Sequence, residues 1–135
     1  MQTDSARLRD FATRYTAAWC SQNPASVAAF FSPEASLTVN QGTPAVGRSE
    51  ITELARSFMT TFPDLKIVMD DLRIHADHAE YRWTLIGTNS APGGTGHRVR
   101  ISGFEKWQIS PDGLIASSEG SFDAAEYRRQ LEQGI

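Results

Sequence analysis

Hydrophobic residues in the first part of the chain recur every three or four positions, which is the spacing of an amphipathic helix. Thr3 or Asp4 can cap this helix, and the apolar spacing continues to about Cys20. We therefore expect the first element to be a helix that buries one face. The residues of that face are Leu8, Phe11, Ala12, Tyr15, Ala18 and Trp19.

Three shorter segments follow before the hydrophobic period changes. Asn23 followed by Pro24 indicates the start of a short helix, which is predicted to continue until the Ser-Pro pair at 32–33. Residues 35–40 are a strand candidate. Residues 41–47 contain two glycines and a proline, so we predict a loop there.

Two further helices are predicted from their boundary residues. Ser49 can cap a third helix, which the Phe-Pro-Asp sequence at 62–64 closes. Asp123, with Glu126 three residues later, forms a capping box for a last helix that runs through Leu131. Both helices flank the region in which the pattern becomes strand-like.

From residue 65 onward the hydrophobic pattern has a period of two, which is typical of strands that bury one face. The segments between these strands are short and rich in turn formers, so they favour hairpins over helical crossovers. We therefore predict an antiparallel meander. Its strands are residues 65–76, 80–89, 97–110 and 114–122.

Helices followed by a long antiparallel sheet indicate an α+β domain with the helices packed on one face of the sheet. A long sheet twists, and a sheet that curls around its helices encloses a cavity. The length of 135 residues fits one domain spanning 1–135, and 40% hydrophobic with 21% charged residues is ordinary for a globular protein.

A carboxylate stands on the apolar face of the predicted strand 97–110. Alternate residues from Val99 to Ile109 are mostly apolar, and Glu105 belongs to this series, whereas Lys106 belongs to the polar one. Removing an ionised carboxylate from water is costly unless it is paired, hydrogen-bonded or neutralised. We therefore expect Glu105 to face a pocket. The apolar face of the preceding strand carries Tyr81, Trp83 and Leu85.

Charge and special residues exclude several classes of protein. A net charge of −3 with scattered basic residues leaves no stripe for nucleic acid. Cys20 is the only cysteine, which excludes an internal disulfide, and His75, His78 and His97 lack metal-ligand spacing. No apolar run resembles a secretory signal or a membrane span, so we expect a cytoplasmic protein without metal, cofactor or membrane partner.

Short motifs spread along nearly the whole chain carry a family resemblance. They are RYTAAW at 14–19, FPDL at 62–65, Trp83 with GT at 87–88, Val99 with Gly103, DGLI at 112–115, and FD at 122–123 with QL at 130–131. In this order and spacing the chain resembles the SnoaL-like proteins of the NTF2-like superfamily, which include polyketide cyclases. The resemblance implies a cone of curved sheet closed by helices, with an interior hydrophobic pocket and often a homodimer.

The resemblance also implies where catalytic groups would lie. In the SnoaL-like cyclases an acid/base Asp, often with a His two positions earlier, lies in the last strand, and the matching positions here are Gly120 and Ser118. The steroid isomerase relatives have an oxyanion tyrosine and a protonated carboxylic acid at positions that match Tyr15 and Glu105. Their base on the first strand corresponds to the Val-Asn pair at 39–40, which cannot take a proton from carbon.

Two functions from different classes stay open. One is a cofactor-free acid-base enzyme for a hydrophobic carbonyl compound, such as a cyclase or isomerase, in which Glu105 and Tyr15 are catalytic and water or Asn40 relays a proton. The other is a ligand-binding or structural dimer module, in which Glu105 is ionised and paired with an arginine or a tyrosine hydroxyl. The residues predicted to contact a ligand are Trp19, Asn40, Phe58, Phe62, Tyr81, Trp83, Trp107, Ser118 and Phe122.

The outer face of the predicted sheet carries two apolar residues where polar ones are expected. These residues are Phe104 and Ile86. Exposed apolar side chains that lie together on one face favour association. We therefore expect a homodimer that forms through this face.

Overall fold

The computed structural model describes residues 5–135, so the cap predicted at Thr3 or Asp4 lies outside the described residues. Within them the chain forms four helices and one sheet of six strands. The helices are α1 (Ser5–Cys20), α2 (Pro24–Ala28), α3 (Gly47–Thr61) and α4 (Ala124–Gln133). The strands are β1 (Phe31–Val39), β2 (Ala45–Val46), β3 (Lys66–Ile74), β4 (Ala79–Thr88), β5 (Arg98–Ile109) and β6 (Ile115–Phe122).

The sheet has the order β2-β1-β6-β5-β4-β3 and is curved and unclosed. Strands β3 to β6 form the predicted antiparallel meander. The expectation of a wholly antiparallel sheet is wrong, because β1 pairs with β6 in parallel. A parallel pair requires a long crossover connection, and here α3 and the three strands of the meander supply it.

The second helix ends earlier than the sequence predicted. It stops at Ala28, and β1 begins at Phe31, ahead of the Ser-Pro pair that was expected to end a helix. Pro33 is therefore a strand residue. A register irregularity between Phe31 and Ser36 interrupts the β1–β6 ladder at this point, and a proline without a ladder donor is tolerated there.

The start of α3 also differs from the prediction. The cap residue is Val46, whose side chain has no oxygen to accept a helix N–H, and Ser49 lies inside the helix. Residues 45–46 pair with β1 as β2, so the extended chain runs directly into α3. The Glu50 carboxylate accepts the backbone N–H of Val46 at 2.9 Å, which replaces the predicted serine cap.

The cap of α4 is the predicted one. Asp123 accepts the N–H of Glu126 at 3.0 Å. The Glu126 carboxylate binds Arg129 and Gln130, so one half of the predicted capping box forms. In Glu126, hydrogen bonds from Arg129 and Gln130 lower the pKa of the carboxyl to about 2.

The buried face of β5 confirms the predicted alternation. Val99, Ile101 and Trp107 are buried, and Glu105 is only 7% exposed. Tyr81 pairs with Glu105 in register, so the aromatic face of β4 and the apolar face of β5 are the same face of the sheet. Helix α1 packs on this face. No helix among residues 5–135 combines the length and apolar character needed to span a membrane.

Candidate functional site

An interior cavity lies between the concave face of the sheet and helices α1, α3 and α4. Its volume is about 70 Å³, several times the roughly 10 to 15 Å³ that one water molecule requires. Its walls are almost wholly apolar. The predicted residues that line it are Trp19, Phe58, Tyr81, Trp83, Glu105 and Phe122.

Several lining residues were not singled out from the sequence. They come from β1, α3 and α4, and they include Leu37, Val39, Leu54 and Tyr127. The alternation of β1 was the signal for Leu37 and Val39. The contribution of α4 had no such signal, because its position over the sheet depends on the tertiary fold.

Glu105 is held in the cavity wall by three neutral donors. Its Oε1 accepts the Ser118 hydroxyl at 2.7 Å, the Tyr15 hydroxyl at 3.0 Å and the Trp107 indole N–H at 3.2 Å. Its Oε2 has only a longer contact of 3.3 Å with the same Tyr15 hydroxyl. Oε1 is therefore saturated, and Oε2 is the oxygen with capacity left for a ligand or a proton.

Burial dominates the electrostatics of this carboxyl group. Desolvation raises the pKa of Glu105 above 4.5, and the hydrogen bonds from Ser118, Trp107 and Tyr15 oppose this rise in part. Within residues 5–135, no Lys, Arg or His forms a salt bridge with Glu105. Of the two expected pairing partners, the tyrosine hydroxyl is present and the arginine is not.

Tyr15 supports Glu105 and does not line the cavity. Its side chain is fully buried, and desolvation, followed by the nearby Glu105 charge, raises its pKa well above 10. The Tyr15 hydroxyl lies beside Glu105 and outside the cavity lining, so a catalytic role of Tyr15 stays a prediction. The hydroxyl proton of Tyr15 is donated to Glu105 itself.

Four other residues predicted to contact a ligand are not in the cavity lining, and they bond or pack within the protein. Trp107 is fully buried, stacks on Tyr81 at 4.8 Å and donates to Glu105. Ser118 also donates to Glu105. Phe62 packs edge-on against Tyr127 at 6.2 Å. Asn40 has a φ of 51° and its side chain accepts the N–H of Phe122, so it joins the ends of β1 and β6.

The two tyrosine hydroxyls nearest Glu105 are both engaged. Tyr81 lies 2.5 Å from the hydroxyl of Thr16, and burial raises its pKa. In contrast, the Trp83 Nε1 atom is buried and has no hydrogen-bond partner among the described residues. The aromatic wall thus carries one buried N–H that the protein leaves unpaired.

A more open groove adjoins the cavity between the loop after β1 and α3. It has a volume of about 330 Å³ and shares Leu37, Val39 and Leu54 with the cavity wall. Glu50 and Glu53 lie along its α3 side.

The described residues contain no metal-binding group of His, Cys, Asp and Glu side chains. His75 stacks on His78 in the β3–β4 hairpin, and His97 lies beside Gly134. None of the three histidines lines the cavity. Apart from the tyrosines, Glu105 is therefore the only residue with an acidic or basic side chain in the cavity wall formed by residues 5–135.

Comparison with models of protein families shows which family this chain belongs to. A SnoaL-like domain model matches residues 12–118. The chain belongs to the SnoaL-like family. No curated protein matches the sequence.

Solved structures confirm the fold of this SnoaL-like domain. A protein with a ketosteroid isomerase-like fold from Catenulispora acidiphila DSM 44928, in complex with trimethylamine, has a TM-score of 0.80 at 15% identity, covering 90% of this chain and 92% of that one. A putative SnoaL-like polyketide cyclase from Jannaschia sp. CCS1 has 0.76 at 12%, covering 98% and 99%. TsrD from Streptomyces laurentii has 0.81 at 25%, covering 96% and 98%.

The positions that match the cyclase acid/base pair both face the interior of this SnoaL-like domain. Gly120 pairs with Glu105 across β5 and β6 and lines the cavity. Ser118 is 1% exposed and pairs with Trp107. Neither position carries an acidic side chain, and the carboxyl group that lines the cavity is that of Glu105 on β5.

Proposed function

We propose that this SnoaL-like domain binds a small, mainly apolar, aromatic or carbonyl-containing molecule in its cavity, and that Glu105 exchanges protons with that molecule. The observation that carries the proposal is a carboxyl group, buried and without a cationic partner among the described residues, in an otherwise apolar wall. Apolar cavities with a few fixed polar groups are typical of small-molecule sites.

The hydrogen bonds around Glu105 suit a group that works in both protonation states. Three donors on Oε1 stabilise the carboxylate, while burial favours the neutral acid. A carboxyl group that is stabilised in both protonation states can act as a general base and as a general acid. Such a group removes a proton from one carbon and returns it to another without any cofactor.

Deuterium exchange tests this proposal with acetophenone, an aromatic ketone with exchangeable methyl protons. In D2O the wild-type protein is expected to speed the loss of the methyl proton signal above the buffer rate. Glu105→Gln keeps the size of the side chain and removes its basicity, so the rate should return to that of buffer. Glu119→Gln, the same change at an exposed residue of β6, is the matched control and should exchange like wild type.

A second candidate function is ligand binding without catalysis. It is favoured by the absence of an acid at Ser118 and Gly120, the inward positions of β6 that match the cyclase pair. If the domain only binds ligand, calorimetry should show saturable binding of acetophenone to wild type and to Glu105→Gln alike. Neither protein should then speed the exchange of the methyl protons above the buffer rate. Exchange in wild type that Glu105→Gln abolishes excludes it.

A further inference from the structure

Trp83 is the aromatic residue of the cavity that carries a buried polar atom without a hydrogen-bond partner among the described residues. Its Nε1 is buried and unpartnered among the described residues, whereas the Nε1 of Trp107 donates to Glu105. Buried donors are nearly always paired, so an unpaired one needs an explanation. A ligand in the adjoining cavity provides one, because Trp83 lines it.

The strand register places Trp83 close to Glu105 on the same face. Tyr81 is directly opposite Glu105, and Trp83 is opposite Gly103, so Trp83 and Glu105 are diagonal neighbours across β4 and β5. Diagonal neighbours on one face of a sheet are roughly 7 to 8 Å apart. A molecule of one ring and one short substituent spans that separation.

Gly103 sets the position of the indole ring. A Cβ atom at Gly103 would lie 2.7 Å from Cζ2 of Trp83, so the ring occupies the space that a side chain would need. Cζ2 belongs to the edge of the indole that carries Nε1. Phe122 contacts the same ring edge-on, with centroids 5.9 Å apart. The edge of the indole that carries Nε1 is therefore packed against Gly103 of β5, the strand that also carries Glu105.

We propose that the indole N–H of Trp83 donates to an acceptor oxygen of the bound molecule and selects uncharged ligands that carry such an oxygen. This inference rests on the proposed function and adds the group that orients the ligand. With the oxygen at Trp83, a small ring system can span the roughly 7 to 8 Å between these diagonal neighbours toward Glu105. The hydroxyl of Tyr81, which also lines the cavity, is already bonded to the hydroxyl of Thr16.

The test compares acetophenone with α-methylstyrene, in which a CH2 group replaces the carbonyl oxygen. Binding of each is measured to wild type, Trp83→Phe and Trp19→Phe. Wild type should bind acetophenone more tightly than α-methylstyrene. Trp83→Phe should reduce this preference roughly three- to tenfold, as expected for one lost hydrogen bond. Trp19→Phe removes ring area from the same cavity and should leave the ratio unchanged.

A second measurement uses the wild-type protein alone and is independent of how the variants fold. In a 15N-labelled sample, the Trp83 Nε1 proton should move downfield with acetophenone and not with α-methylstyrene, while the Trp107 Nε1 proton serves as the internal reference. Binding without this shift, or an affinity ratio unchanged by Trp83→Phe, overturns the inference and leaves the proposed function standing. No binding of either compound overturns both.

Discussion

Gly103→Ala tests the packing that shapes the cavity wall. An added Cβ would lie 2.4 Å from the backbone oxygen of Ser121, 2.7 Å from Cζ2 of Trp83 and 3.0 Å from Cβ of Phe122. The first contact is with β6 backbone, which pairs with β5 at this point and cannot move alone. Overpacking of this kind costs about 1 to 3 kcal/mol.

Gly120→Ala is the matched control for this change. A Cβ there meets Thr38 and Glu105 at ordinary distances of 3.5 and 3.7 Å. Neither glycine has a positive φ, so both alanines restrict the unfolded chain alike, and their difference isolates the clash. Thermal and guanidinium unfolding should show Gly103→Ala less stable by about 1 to 3 kcal/mol, or about 3 to 15 °C in Tm. Equal stability of the two variants would refute the described packing of Trp83 on Gly103.

Three other outcomes follow from the site and the outer face. The folded-state pKa of Glu105 lies above 4.5, its ordinary value. The wild-type free energy of unfolding should therefore fall as pH rises from 4.5 through the folded-state pKa. The fall should be about 1.4 kcal/mol for each unit by which the folded-state pKa exceeds the unfolded-state pKa. Glu105→Gln should lack this fall, and identical pH profiles would contradict the raised pKa. Tyr15→Phe removes a donor to Glu105 and should cost about 1 to 3 kcal/mol in denaturant unfolding, because a buried carboxyl group loses a hydrogen-bond partner. A loss below about 0.5 kcal/mol, on the order of a neutral surface change, would count against that bond. We also propose a homodimer through the sheet face that carries Phe104 and Ile86, for which sedimentation at micromolar concentration should give twice the monomer mass; a monomer would exclude it.

The inward direction of Glu105 was predictable because β5 is long and its alternation is unbroken around that residue. Val99, Ile101 and Trp107 fix the buried face, and a slip of one residue would expose all of them. The same logic placed Tyr81 and Trp83 on the cavity side of β4. Local pattern is sufficient when one face of a long strand is buried.

The partners of Glu105 could not be predicted in the same way. Ser118 and Trp107 were expected to contact a ligand, yet both donate to Glu105, because the β5–β6 register places Ser118 opposite Trp107 and Gly120 opposite Glu105. That register depends on the hairpin and on an irregularity next to Ile109. The period of the hydrophobic pattern indicates on which face of the sheet a residue lies. It does not indicate which residue lies opposite on the neighbouring strand.

Long-range pairing limited the prediction of the first strand. The parallel pairing of β1 with β6 joins segments far apart in sequence, and no local signal reports it. Asn40 lies at the end of the predicted strand 35–40, and its polar side chain was predicted to contact a ligand. Its left-handed backbone and its bond to Phe122 instead make it a link between β1 and β6.

The most direct measurement is the titration of the Glu105 carboxyl carbon by 13C NMR. The account predicts a midpoint above 4.5 for Glu105. Glu126, half-buried and bonded to Arg129, provides a comparison in the same sample, with an expected midpoint of about 2. A Glu105 midpoint at or below 4.5 would contradict a buried carboxyl group that exchanges protons with a ligand in the cavity.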